Sequence, residues 1–193
     1  MRGGGEGDSR VVNEGRGRET AASIRRWLPF LIAAFVVAFD RLTKIYIRAH
    51  FSSFDAVSVV PGWFRIVHTE NPGAAFGILA DSPSAWSSML LVAVSLVVMA
   101  ILGVMLWRPR PASHQGMQSP GLVSVGLALV FGGACGNVWD RLFRGTVTDF
   151  LQFFFGSYEF PSFNAADSAI TIGAALLLID LWLTRHQHHT EHV

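Results

Sequence analysis

Two aspartates in the second half of this 193-residue chain could act together as acid and base. Asp149 directly precedes a strongly apolar stretch, where partial desolvation would raise the pKa of its carboxyl group. Asp167 stands three residues after Asn164, which suits a helix N-cap, so the helix dipole would favour a charged Asp167. Carboxyl groups with such different surroundings can form an acid/base pair. Spacing alone does not choose between Asp140 and Asp149 as the partner of Asp167.

Three further polar clusters adjoin apolar segments. Asp40 and Lys44 are four residues apart, so on a helix they can form an ion pair. Asn137 and Asp140 are three apart and share a helix face. Residues 70–77 contain Pro and two Gly, which force an irregular backbone beside Asn71. Each cluster also has a structural explanation, as a salt bridge, a helix end or a polar turn.

The composition indicates a membrane protein. Hydrophobic residues make up 51% of the chain and charged residues 15%, against about 25% charged in a typical soluble domain. The formal net charge of +1 gives no reason to expect nucleic acid as a partner. Cys135 is the single cysteine, and no zinc-type spacing or HExxH motif occurs. We therefore expect neither a metal nor another cofactor.

Apolar segments divide the chain and predict its architecture. Crossing a bilayer takes roughly 20 helical residues, and four apolar segments are long enough. The first and the last contain charged residues, so they can cross only if those residues lie near the helix ends or face protein. The four segments lie at about 27–47, 84–107, 122–140 and 167–184. Between the first two, residues of about 51–80 predict a small β element with strands at 57–60 and 63–67 and a turn at Pro61-Gly62. The expected fold is an all-α membrane protein with four transmembrane helices and a small β element on the outer face.

Basic residues predict which side is cytoplasmic. The N-terminal segment, the second connection and the C-terminal tail all carry Arg, so these regions should share the inner side. Residues 1–22 have no apolar period and are predicted to be a disordered cytoplasmic extension. The membrane domain would span 23–185, with a cytoplasmic tail at 186–193. A cleaved signal peptide is the alternative for the first segment, but that segment ends in Asp40-Arg41 rather than a small-residue cleavage site.

Four stretches of the chain resemble the lipoprotein signal peptidase family, also called type II signal peptidases. They are DRLTK at 40–44, NPGAAFG at 71–77, GNVWDRLFRGTVTDF at 136–150 and FNAADSAI at 163–170. The last two are long and specific, and together the four touch all the predicted spans. Arg41 departs from the family pattern, which commonly has Gln there.

The resemblance implies an aspartic endopeptidase in the bacterial inner membrane, with both termini cytoplasmic and the active site and β element on the periplasmic face. By position in the motifs, Asp149 and Asp167 would be the catalytic dyad. Residues that would bind substrate or orient the dyad are Asn71, Gly73, Asn137, Asp140, Arg141 and Asn164. Asp40 and Lys44 would be structural polar residues. No metal or cofactor is implied.

The implied partners are membrane lipid and diacylglyceryl-modified prolipoproteins, cut on the amino side of the lipidated Cys. We expect a monomer. A small transporter or channel subunit is the leading alternative, in which the carboxylates would carry protons or cations through the membrane. Such a path needs acidic residues spread through the membrane depth, whereas here they gather near one level. A non-catalytic membrane scaffold is the third possibility.

Overall fold

The fold combines long helices with one small sheet. In the computed structural model, the backbone is described for residues 6–53, 55–73, 85–108 and 121–190, and side chains for 26–53, 55–73, 89–108 and 121–185. The elements within these residues are α1 (Glu6–His50), β1 (Ala56–Val60), β2 (Phe64–Asn71), α2 (Ala85–Trp107), α3 (Leu122–Arg144), β3 (Val147–Phe155), β4 (Tyr158–Glu159) and α4 (Ala165–Thr190).

Among the described helices, three are long and apolar enough to cross a membrane. The qualifying segments are Met89–Trp107 in α2, Leu122–Arg144 in α3 and Ala165–Arg185 in α4. Three of the four predicted spans therefore have the required length and composition. Within the part of α1 whose side chains are described, residues 26–50, the apolar segment also holds Asp40, Arg41 and Lys44, and it is not among these three, so its crossing stays a prediction.

The start of α1 differs from the prediction. Residues 1–22 were predicted to be disordered, but the helix already begins at Glu6. Lengthening an existing helix requires no new nucleation, so the polar segment can continue the helical path of the apolar one. The helix even contains Pro29. At the other end of the chain, α4 continues to Thr190.

Helix α3 lies at the centre and contacts the other three helices. Its contact with α4 depends on glycine. A Cβ on Gly133 would lie 2.5 Å from the carbonyl oxygen of Ala166, and one on Gly126 would lie 2.9 Å from that of Gly173. Small residues of this kind let helix backbones approach closely within a membrane.

The strands form one antiparallel sheet in the order β1-β2-β3-β4. The two predicted strands are confirmed, with β2 longer than expected, and Gly62 (φ +74°) occupies the predicted turn. Strands β3 and β4 were not predicted, because residues 151–155 were interpreted only as an apolar stretch. The sheet joins the α1–α2 connection to the α3–α4 connection, so both lie at the same end of the helices.

Candidate active site

Asp149 lies on β3 and is 2% exposed. Asn164 Nδ2 donates to its Oδ1 at 2.7 Å, and Asn71 Nδ2 donates to its Oδ2 at 3.1 Å. Burial raises the pKa of the Asp149 carboxyl group to about 6, and the negative charge of Asp167 adds to the rise, while the two amide hydrogen bonds act against it. The carboxyl group is thus held by two amides in a setting that favours its protonated form.

Asp167 lies in the first turn of α4, where Asn164 is the N-cap. Asn164 Oδ1 accepts the Asp167 N–H at 3.0 Å, and Asp167 Oδ2 accepts the Asn164 N–H at 3.2 Å. This reciprocal arrangement is a capping box made with a shorter acid. Asn137 Nδ2 donates to the second oxygen, Oδ1, at 2.7 Å. Two donors and the positive end of the helix dipole favour negative charge on this carboxylate.

Asn164 brings the two aspartates together. It is fully buried, and its backbone and side chain contact both carboxyl groups. The residue before it, Phe163, pairs with Leu151 of β3 through N–H···O bonds of 2.8 and 3.0 Å. The start of α4 is therefore fastened to β3 two residues from Asp149. Both predicted dyad residues thus contact Asn164, whereas Asp140 has its described partners on α1.

Gly73 orients Asn71. Its N–H donates to Asn71 Oδ1 at 2.9 Å, which leaves Nδ2 of the amide facing Asp149. Its φ of +102° lies in the region that favours glycine, and a Cβ there would lie 2.5 Å from Leu91 Cδ1. Residues 74–77 of the predicted 71–77 motif lie outside the described residues.

A buried ion cluster supports the site from α1. Lys44 is fully buried and lies 2.8 Å from Asp40 Oδ2, so the predicted ion pair is present. It also lies 3.0 Å from Asp140 Oδ2 and donates to Asn137 Oδ1 at 2.9 Å. Asp40 Oδ1 accepts the Ala166 N–H at 3.0 Å. The cluster thereby holds both the start of α4 and the amide that contacts Asp167.

The two charged residues predicted at 140 and 141 occupy different places. Asp140 belongs to the ion cluster and pairs with Arg41, the residue that departs from the family pattern. Arg141 instead interacts electrostatically with Asp167 and Asp149, and its Nε is buried without a hydrogen-bond partner among the described residues. Arg141 is thus a cation near both predicted dyad residues, whereas Asp140 forms ion pairs with Arg41 and Lys44.

Sequence reasoning missed a group of residues behind Asp149. Thr148 is fully buried and donates to Glu70 Oε1 at 3.0 Å, and His68 lies 3.1 Å from the same oxygen. Part of this group could have been found from the sequence, because His68 and Glu70 are two residues apart and therefore lie on one face of strand β2. Pairing with β3 could not be inferred because β3 was not predicted.

Comparison with known proteins identifies the family. The family model described as signal peptidase (SPase) II matches residues 32–183. The chain belongs to the signal peptidase II family. Lipoprotein signal peptidases of Solibacter usitatus and Yersinia pestis (strain Pestoides F) are 42% and 37% identical to it. These alignments cover 84% and 82% of this chain and 94% and 88% of the relatives.

Solved structures agree with the family. A bacterial membrane enzyme determined by the in meso method at 1.9 Å superposes with a TM-score of 0.66 at 33% identity, over 80% of this chain and 92% of that one. A second such structure, at 2.3 Å, has the same TM-score at 32% identity. The resemblance inferred from the four sequence blocks is confirmed. As a member of the signal peptidase II family the chain is a peptidase of bacterial lipoprotein processing, and the transporter and scaffold alternatives are set aside.

Proposed function

We propose that Asp149 and Asp167 are the catalytic pair that removes the signal peptide from diacylglyceryl-modified prolipoproteins, cutting on the amino side of the lipidated Cys. The observation that carries this proposal is that one buried residue, Asn164, contacts both carboxyl groups: its side-chain Nδ2 donates to Asp149 and its backbone N–H donates to Asp167. Family membership supports the reaction, and the hydrogen bonds around the two acids support the choice of residues.

The two acids take different roles in the reaction. Asp167, with its two donors and the helix dipole, is the carboxylate that accepts a proton from the attacking water. Asp149, whose pKa is raised to about 6, keeps its proton and donates a hydrogen bond to the scissile carbonyl oxygen. After the water oxygen has bonded to the carbonyl carbon, Asp167 passes its proton to the leaving amine of the Cys. The carbon–nitrogen bond then breaks and the signal peptide leaves with a new carboxyl group.

The surrounding polar residues hold the pair in these roles. Asn71 and Asn137 each donate to one carboxyl group and fix its direction. The Arg141 guanidinium, with its buried Nε, is the group suited to bind a carbonyl oxygen of the substrate as negative charge develops on it. A misplacement of these groups by about 1 Å can lower a rate about 100-fold.

The site opens to the outer side of the membrane in this proposal. Because the sheet joins the α1–α2 and α3–α4 connections, a chain that crosses four times would have both termini on the opposite side. The placement of Arg in the sequence favours the cytoplasm for that side. A site at the outer boundary suits a substrate whose lipid stays in the bilayer while its peptide bond meets water.

The decisive experiment is cleavage of a diacylglyceryl-modified prolipoprotein by the purified enzyme. Asp149→Asn and Asp167→Asn should each reduce kcat by about 1,000-fold or more, as expected when a residue of a catalytic unit is removed. Asp55→Asn, at an exposed position before β1, is the matched control and should retain full activity. Full cleavage by both dyad variants would remove the mechanism.

A further inference from the structure

Strand β2 contains a bulge immediately before it reaches Asp149. Ile66 pairs with Leu151, and Thr69 pairs with Asp149. Two residues of β2, of which His68 is the second, therefore stand opposite a single residue of β3. Bulges near active sites re-aim the side chains that follow them. Here the residue that depends on this aim is Asn71.

His68 fastens the bulge through both ring nitrogens. The side chain is buried, with Nδ1 2.8 Å from the carbonyl oxygen of Phe51 and Nε2 3.1 Å from Glu70 Oε1. A carbonyl oxygen only accepts, and so does a carboxylate. A neutral imidazole carries one N–H and can satisfy one of them, whereas the imidazolium carries two and satisfies both. The hydrogen-bond geometry therefore requires a doubly protonated His68 if Glu70 is ionised.

Three donors hold Glu70 in its ionised form. Thr146 Oγ1 donates to its Oε2 at 2.6 Å, and Thr148 Oγ1 and the His68 ring donate to its Oε1. Burial raises the pKa of Glu70, but these hydrogen bonds, with the charge of Arg144, bring that pKa below its usual range. Glu70 is thus a carboxylate, which accepts hydrogen bonds and donates none.

Several elements that pack against His68 and Glu70 place charged residues near them. Arg48 of α1 donates to Thr148 Oγ1 at 2.9 Å, and Arg144 lies at the end of α3. On the segment before β1, Asp55 accepts the His68 backbone N–H at 3.3 Å through its carbonyl oxygen. Among the described residues, His68 is the ionisable side chain in direct contact with Glu70.

The pair lies beside the Asp149 contact. Glu70 pairs with Thr148 across the sheet, Asn71 follows Glu70, and Asp149 follows Thr148. The hydrogen bond from Thr148 to Glu70 and the one from Asn71 to Asp149 therefore join the same two strands one residue apart. Any movement of the bulge changes where Asn71 points.

We propose that doubly protonated His68 is a positioning residue of the reaction, fastening the β2 bulge between the end of α1 and Glu70 and so setting Asn71 against Asp149. The inference rests on the proposed function of Asp149. Loss of the second proton, as the pH rises, breaks one of the two ring hydrogen bonds. Asn71 then no longer fixes the direction of the Asp149 carboxyl group, and kcat falls while KM changes little.

The protonation state can be measured on the native sequence. NMR of the enzyme with ¹⁵N-labelled histidine should give one imidazole protonated at both nitrogens at neutral pH, and this signal should be missing from His68→Gln. In Glu70→Gln the same ring should become a neutral tautomer at that pH, because its charged partner is gone. His50→Gln, at an exposed position at the end of α1, should leave the signal in place. A neutral His68 in the wild type at neutral pH would overturn the proposal.

Kinetics test the positioning role. His68→Phe should lower kcat about tenfold with KM within about twofold, since a displaced orienting group acts on the chemical step. It should also move the pH limb of kcat/KM that reports Asp149 to higher pH, which a loss of folded enzyme would not do. His68→Gln keeps one donor and should recover part of the rate, and His50→Gln should match the wild type.

The two proposals fail in different ways. If His68→Phe keeps the wild-type rate and pH profile while Asp149→Asn is inactive, the positioning role is wrong and the dyad stands. If Asp149→Asn is fully active, the dyad itself is wrong. Should His68→Phe not fold, the NMR comparison of wild type and Glu70→Gln still decides.

Discussion

At the scale of single residues, Asp149 and Asp167 carry the same chemical group in opposite settings. One is buried on a strand between two amide donors, and the other stands at the positive end of a helix. The sequence predicted this contrast correctly, because an N-cap and a neighbouring apolar run are local signals. It could not choose Asp149 over Asp140, since that choice depends on which helix Lys44 and Arg41 contact. The family resemblance made the choice.

The pH dependence of the reaction follows from the Asp149 environment. Because the proposed mechanism needs a protonated Asp149 with a pKa of about 6, kcat/KM should fall as the pH rises through about 6. Asn71→Ala removes a donor that stabilises the carboxylate, so the pKa rises and the limb should move to higher pH. Ser58→Ala, on the exposed strand β1, is the control. A limb that moves to lower pH in Asn71→Ala would contradict the assignment.

Stability should report the same carboxyl group. Folding raises the pKa of the Asp149 carboxyl group from 3.8 to about 6. The protonated group therefore contributes to the free energy of unfolding below pH 3.8, and this contribution is lost as the pH rises through about 6. Asp149→Asn does not titrate, so its Tm relative to the wild type should increase across this interval. The corresponding change in unfolding free energy is at most about 3 kcal/mol. Thermal unfolding in detergent at several pH values measures it, with Asp55→Asn as the exposed-site control.

At the scale of elements, local signals predicted the ends of helices and missed a strand. Asn164 caps α4 as expected, and Gly145 ends α3 in the left-handed conformation (φ +78°) that glycine favours. Strand β3 was missed because its 151–155 segment is almost wholly apolar and aromatic. Such a run shows no apolar/polar alternation, so periodicity alone cannot distinguish a strand from a buried helical segment. The pairing of β3 with β2 is long-range, so no local pattern encodes it.

The glycine contact between α3 and α4 offers a test at this scale. A Cβ on Gly133 would lie 2.5 Å from a backbone oxygen of Ala166, so Gly133→Ala must push the two helices apart. Because α4 carries Asp167, both Tm and kcat should fall, with kcat lower by about 100-fold for a displacement near 1 Å.

Gly103→Ala is the matched control for that variant. Its Cβ would lie 3.6 Å from a ring carbon of Phe131, which is ordinary contact, and it should behave as the wild type. Equal Tm and kcat for the Gly133 and Gly103 variants would show that close backbone approach of α3 and α4 is not required.

At the scale of the whole molecule, composition predicted the class of protein but not its assembly. The excess of apolar residues indicated a membrane protein, and three described helices have the length to cross. How four distant polar clusters meet could not be read from composition, because it depends on α3 contacting α1 and α4 at once. The topology of α1 and the side of each terminus remain predictions.

Labelling of single cysteines tests that topology. In a Cys135→Ser background, Ser58→Cys on the exposed strand β1 should react with a membrane-impermeant thiol reagent in intact spheroplasts. Arg185→Cys, near the end of α4, should react only after permeabilisation. The reverse pattern would invert the orientation, and reaction of both in intact spheroplasts would exclude the three crossings that are predicted between residues 58 and 185.

The position of Asp167 on the last helix has a consequence for biosynthesis. In the proposed catalytic pair, Asp149 is translated 18 residues before Asp167, and Phe163, which pairs with β3, precedes α4. A chain that ended before α4 would lack one of the two proposed catalytic carboxyl groups. Under this proposal, hydrolytic competence arises only after the last helix has been synthesised.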